Sequence, residues 1–185
     1  MPTFNILIAT VGRPTLQRML DSLSPQLEKQ DCLTLVFDGK SEIPKFNLSG
    51  FKCKVNQYCE PAALGFWGHG IRNKYASLLE KRDFVMHADD DDYYYPNVFP
   101  ELRALCTVRN TLYIAKMRYS NGAHLPEGPF IAMGHIGTPC GIIPYELNMK
   151  GTWAAAYGGD GKFYEQLTRT GISVGYLPTL IYHIR

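Results

Sequence analysis

Four consecutive carboxylates, Asp89-Asp90-Asp91-Asp92, follow directly on the apolar run Phe84 to Ala88. Like charges this close repel one another, and a divalent cation or a set of arginines relieves the repulsion. Such a run is either a solvated turn capping the next helix or a site. A hard cation that handles a phosphorylated substrate takes one or two carboxylates and leaves its other positions to phosphate oxygens and water. Residues suited to a phosphate or a nucleotide recur along the chain. They are Thr10 to Arg13 at a strand-to-helix turn, Asp38 at a strand end, and Arg72-Asn73 after the glycine-rich Gly65 to Gly70. Each alone is a weak signal; their positions in the fold decide.

The elements that must position them start with a strand at Phe4 to Ala9. Pro14 to Leu23 is predicted as a helix: Leu16, Met19, Leu20 and Leu23 fall at helical spacing, and Pro14 sits in the first turn, where its missing N–H costs nothing. Leu33 to Phe37 is a second strand, ended by the turn Asp38-Gly39-Lys40-Ser41. Strand, helix, strand predicts a right-handed βαβ unit of a parallel sheet. Further strands are predicted at Lys54 to Tyr58, Phe84 to Ala88, Thr111 to Lys116, Phe130 to Met133, Gly141 to Ile143, Val174 to Tyr176 and Leu180 to His183. Helices are predicted at Ile71 to Glu80 and Asp160 to Thr170. Open α/β sheets bind ligands outside the carboxyl ends of their strands, where Thr10, Asp38 and the acidic run all fall.

This ordered set resembles the nucleotide-sugar-dependent glycosyltransferases of the GT-A fold, most closely the inverting family 2 type, and also the compact glycosyltransferase domains encoded by large algal viruses. The residues that carry it are Ile6-Leu7-Ile8-Ala9-Thr10 with Arg13-Pro14, Val36-Phe37-Asp38-Gly39-Lys40-Ser41, Gly70-Ile71-Arg72-Asn73, His87-Ala88-Asp89-Asp90-Asp91-Asp92 with Pro96-Asn97, and Gly158-Gly159-Asp160. The resemblance implies an α/β GT-A fold with a central mixed, mostly parallel sheet flanked by helices. It implies a donor-binding part at about residues 1–95 and an acceptor-side part at about 96–185 of a single domain. Thr10, Arg13, Asp38, Arg72, Asn73, Asp89 and Asp90 would bind the donor, with Asp38 accepting from the uracil N–H. Asp89-Asp90-Asp91 looks like the D-x-D motif, with Asp91 holding Mn²⁺ or Mg²⁺. Asp160 looks like the general base, although the family more often has Glu-Asp where this chain has Gly159-Asp160. The implied reaction moves a sugar from a UDP-sugar or related donor to a hydroxyl of a glycan or glycoconjugate acceptor. A nucleotidyltransferase, a metal-dependent phosphohydrolase and a catalytically silent sugar-binding module are the alternatives. The Asp38 turn and the position of Asp160 favour glycosyl transfer.

Other residues have two readings. His183 is either a strand histidine or a third metal ligand or diphosphate contact. Trp153 either stacks on an acceptor sugar or fills the core, and Trp67 would pack beneath its loop. His69 and His87 read as structural, and with His124 and His135 they show no zinc spacing. Tyr93-Tyr94-Tyr95 would divide between core and surface. Gly68-His69-Gly70 lacks the third glycine of a dinucleotide fingerprint.

The 185 residues suit one domain, and 45% hydrophobic with 19% charged residues excludes the composition of disorder. A net charge of +2 without a basic arm gives no footprint of a nucleic-acid binder. No apolar run approaches the ~20 residues that span a bilayer, and no leader pattern is present. Five cysteines without a C-x-x-C pair read as free thiols in a reducing compartment, so a cytoplasmic location is expected.

Overall fold

The computed structural model describes residues 1–185. Strand β1 (Phe4–Thr10) is buried along its whole length, as is β2 (Cys32–Asp38). Near-continuous apolar strands of this kind belong to parallel sheets covered on both faces. Helix α1 (Leu16–Leu23) joins them and turns Leu16, Met19, Leu20 and Leu23 onto the sheet. β1 pairs in parallel with β2 on one side and with β4 (Phe84–Asp89) on the other; β2 pairs in parallel with β3 (Lys54–Glu60). Phe4, Ile6 and Ile8 of β1 enter the large core with α1, whereas Leu7 and Ala9 meet Ile71 and Tyr75 of α2 (His69–Tyr75) on the other face.

The second half of the chain completes a nine-stranded sheet. Its remaining strands are β5 (Tyr93–Tyr94), β6 (Thr111–Tyr119), β7 (His124–Leu125), β8 (Gly141–Pro144) and β9 (Ser173–Ile184). The order is β3-β2-β1-β4-β8-β6-β9-β5, with β7 on β6. β8 runs antiparallel to both β4 and β6 and so joins the halves, while β9 lies parallel to β6 in the longest ladder. Helices α3 (Val98–Leu105), α4 (Tyr145–Asn148) and α5 (Gly159–Thr168) cover it. The buried Arg103 of α3 is paired with the fully buried Asp31, which also accepts the backbone N–H groups of Phe4 (3.0 Å) and Glu28 (2.8 Å). No helix is long and apolar enough to cross a membrane.

Three expectations about elements change. Phe130 to Met133 is not a strand: it has no ladder partner, and Met133 lies where side chains at Gly158 and Gly161 would be. The two closing strands are one strand, β9, whose Gly175 and Pro178 make it look broken; register shifts against β6 absorb the irregularity. α2 starts at His69 and stops at Tyr75, where the chain tightens and the Leu78 N–H donates to the Tyr75 carbonyl at 2.9 Å.

Candidate active site

A cleft of about 450 Å³ opens at the carboxyl ends of β1, β2 and β4. Thr10, Arg13, Asp38, Asp89, Asp90, Asp91 and Asp160 all line it, so the fold gathers most of the residues singled out in the sequence. They do different things there.

The acidic run divides by direction. Asp90 is buried and turned back on β1: it accepts the Thr10 hydroxyl at 2.5 Å and the Arg13 guanidinium at 2.9 Å. Asp89 and Asp91 line the cleft with partly exposed side chains, Asp91 sharing Arg13 at 3.0 Å and Asp89 receiving Arg72 Nη2 at 2.5 Å. Asp92 points into the protein, accepts the Arg185 N–H at 3.1 Å, and is pushed up to about 7 by burial. Repulsion within the run is therefore relieved by arginines and by divergent directions.

Arg72 is not a wall of the cleft but a post beneath it. Its side chain is fully buried, donates to the carbonyls of Trp67 (2.8 Å) and Ala88 (3.3 Å) as well as to Asp89, and lies over the Trp153 ring at 5.1 Å. Asn73 likewise leaves the donor-facing role expected of it. Its side-chain amide donates to the Trp153 carbonyl at 2.9 Å and its oxygen accepts the Trp153 N–H at 2.8 Å, which staples α2 to the loop ahead of α5. Trp153 itself is only 3% exposed and stacks on Phe163 with centroids 4.2 Å apart. An indole so enclosed has no face for an acceptor sugar, which corrects the acceptor-stacking expectation in favour of the core one.

His183 also departs from its expected place. Its ring stacks on Tyr93 at 4.7 Å, Nδ1 pairs with the Tyr95 hydroxyl at 3.1 Å and Nε2 with Ser120 Oγ at 3.3 Å, and it does not line the cleft beside Asp91. No group of three His, Cys, Asp or Glu side chains gathers with ligand geometry. Two carboxylates facing a cleft nonetheless fit a hard cation whose other positions come from phosphate and water.

Asp38 ends β2 on the cleft floor and shapes its rim. Its two carboxylate oxygens accept the N–H groups of Leu64 (2.7 Å) and Gly65 (2.8 Å), each keeping a further acceptor position. Beyond it Gly65, Phe66, Trp67 and Gly68 have φ of +66°, +55°, +53° and +82°, one turn of left-handed backbone. For the two aromatic residues this costs roughly 1–2 kcal/mol each, and it persists because neighbours fix it. Asp38 holds one end, Arg72 holds the Trp67 carbonyl, and Gly68 packs so closely that a Cβ there would be 2.6 Å from Ala9 Cβ. Trp67 is thereby turned outward, 67% exposed, instead of beneath the loop.

Asp160 lies in the first turn of α5, where Oδ1 accepts the Gly161 N–H at 2.8 Å. Burial raises its carboxyl above the ordinary range, with the Asp89 charge adding to the effect and the Gly161 N–H opposing it. His69 stands beside this turn: its Nδ1 meets the Ala154 carbonyl at 2.7 Å, and a Cβ on Gly159 would be 2.6 Å from its Cε1. A carbonyl only accepts, so Nδ1 bears the proton and Nε2 is the acceptor of the neutral ring, whose protonation burial disfavours. His69 thus belongs to the cleft, unlike the buried His87, and the glycines on both sides of it are the signal that could have shown this. Tyr157 and Thr138 complete the walls without any cue in sequence.

Solved structures share this architecture at low sequence identity. S. aureus TarS 1-349 aligns with a TM-score of 0.73 at 18% identity over 99% of this chain and 60% of that one. Its UDP complex gives 0.69 at 17% identity over 100% of this chain and 60% of that one. Its UDP-GlcNAc complex gives 0.67 at 15% identity over 100% of this chain and 58% of that one. The chain therefore spans less than two thirds of the length of these solved chains. No family profile and no curated protein sequence matches it. The fold is the GT-A glycosyltransferase fold.

Proposed function

We propose that this GT-A fold serves an inverting, metal-dependent glycosyltransferase that takes a UDP-sugar and transfers the sugar to a hydroxyl of a glycan or glycoconjugate. The observation that carries the proposal is that Asp89 at the end of β4, Asp91 in the turn that follows it and Asp160 from the start of α5 line one cleft at the carboxyl ends of the parallel strands. That TarS has been solved with UDP and with UDP-GlcNAc supports the donor class.

In this proposal Asp38 uses its remaining acceptor positions for the uracil N–H, and Thr10 keeps Asp90 in place beside it. Arg13 is the one arginine or lysine lining the cleft and offers its guanidinium to the diphosphate. Asp89 and Asp91 would hold Mn²⁺ or Mg²⁺, which when bound supplies charge neutralisation for the departing diphosphate. Asp160 takes the proton from the acceptor hydroxyl as its oxygen attacks the anomeric carbon opposite the breaking bond to UDP. Attack from the opposite face inverts that centre, and a carboxylate raised by burial is the stronger proton acceptor.

Calorimetric titration of UDP with and without Mn²⁺ tests the donor half. Binding should need the cation and be lost in Asp91→Ala; an unchanged affinity in that variant would remove Asp91 from the metal site.

A further inference from the structure

We propose that Trp67 and Tyr157 form a carbohydrate subsite beside Asp160, against which a neutral pyranose ring of the acceptor packs its C–H face. The assignment rests on the donor and base roles given above and names the substrate class on the other side of the reaction.

Two large aromatic side chains stand open at the cleft: Trp67 at 67% and Tyr157 at 89% exposure. Their rings meet edge to face, 6.5 Å between centroids at 79°. The indole is aimed there at a cost, since its backbone is left-handed together with that of Phe66. Asp38, Arg72 and the tight contact of Gly68 with Ala9 hold the turn, so the orientation is built in. Both rings line the same cleft as Asp160. Tyr157 precedes Asp160 by three residues in the sequence, and the Trp67 ring lies 6.3 Å from that of His69, whose edge fills the space a Gly159 side chain would need.

The chemistry of this end of the cleft selects the occupant. Asp160 presents a carboxylate there, and the single guanidinium of the wall, Arg13, is bonded to Asp90 and Asp91 and not to Asp160. A phosphate or carboxylate is disfavoured beside Asp160, whereas a neutral polyol is suited on both counts. Its hydroxyls meet Asp160 and the His69 acceptor nitrogen, and its C–H face meets the aromatic rings.

Saturation-transfer NMR on the full chain with UDP and Mn²⁺ reads this directly, with the methyl β-pyranosides of glucose, galactose and N-acetylglucosamine as probes. Every pyranose has a C–H face, so the natural acceptor is not needed. At least one glycoside should receive saturation at its ring protons. Trp67→Ala or Tyr157→Ala should weaken it about fivefold or more, while Trp67→Phe retains most of the affinity. UDP affinity should stay within about twofold in all three variants, whose replaced side chains lie outside the core. Absence of saturation on every glycoside would overturn the proposal. So would a loss of UDP affinity in Trp67→Ala equal to the loss for the glycoside, which would make the indole a nucleobase platform. Failure of UDP to bind the parent protein would instead overturn the donor role of the cleft, and the glycoside signal is read separately from it.

Discussion

On the proposed mechanism, Asp160 is where binding and chemistry separate. A base acts on the acceptor in the transition state and contributes ~10² to 10⁴ in rate, with little to hold on the nucleotide. Asp160→Asn should therefore lower turnover by about that factor and leave UDP affinity unchanged; full activity would exclude the base role. The raised carboxyl also sets the pH dependence. The base works deprotonated, so kcat should rise with pH through a value above the ordinary carboxylate range, and this limb should vanish in the Asn variant. Stability runs the other way. A folded-state value raised above the unfolded one favours folding at low pH, and that contribution is lost as pH rises. At neutral pH the Asn variant should accordingly melt higher than its parent while turning over more slowly.

Among the elements, α2 does more than its seven residues suggest. Arg72 buries a charge with three oxygen partners, and Asn73 closes a two-bond clamp on Trp153. Truncating a buried, paired charge costs about 3–5 kcal/mol, because its partners lose their donor. Arg72→Met should approach the lower end, since Asp89 is about a third exposed and can regain water; chemical denaturation measures it. The sequence placed Arg72 and Asn73 at the site but mistook supports for contacts. Side-chain type tells that a residue can donate; only the packed α2 tells that its partner is a carbonyl of the neighbouring loop. The buried apolar strands β1, β2 and β4 were plain in sequence because each is covered on both faces. No helix is predicted over α3, which has Pro100 in its first turn and is entered through a left-handed Asn97. That Trp153 is buried and Trp67 exposed follows from the stacking on Phe163 and the twist of the Gly65 to Gly68 turn, neither visible in local composition.

At the scale of the molecule, β4 and β8 join the parallel half to the mixed half, and His87 sits fully buried near this seam. Its Nε2–H donates to Asn148 Oδ1 at 2.8 Å, its ring meets Trp153 edge-on at 5.0 Å, and burial pushes its pKa down to about 3. The unfolded chain binds this proton near ~6.5, so between that pH and about 3 the unfolded state holds one proton more, and stability falls on acidification. The slope from this one group approaches 1.4 kcal/mol per pH unit by order of magnitude. Urea unfolding at several pH values between ~6 and ~4 should show the dependence reduced in His87→Phe, even though that variant starts less stable for leaving Asn148 unpaired.

The staples of α2 have a consequence for how such a site changes over generations. One short helix grips the carboxylate at the end of β4 through Arg72 and the loop ahead of Asp160 through His69 and Asn73. Substitutions on the two sides of the cleft therefore share a support and are not independent. Their effects will be epistatic, so that a change near Asp160 alters which replacements around Asp89 the protein can tolerate.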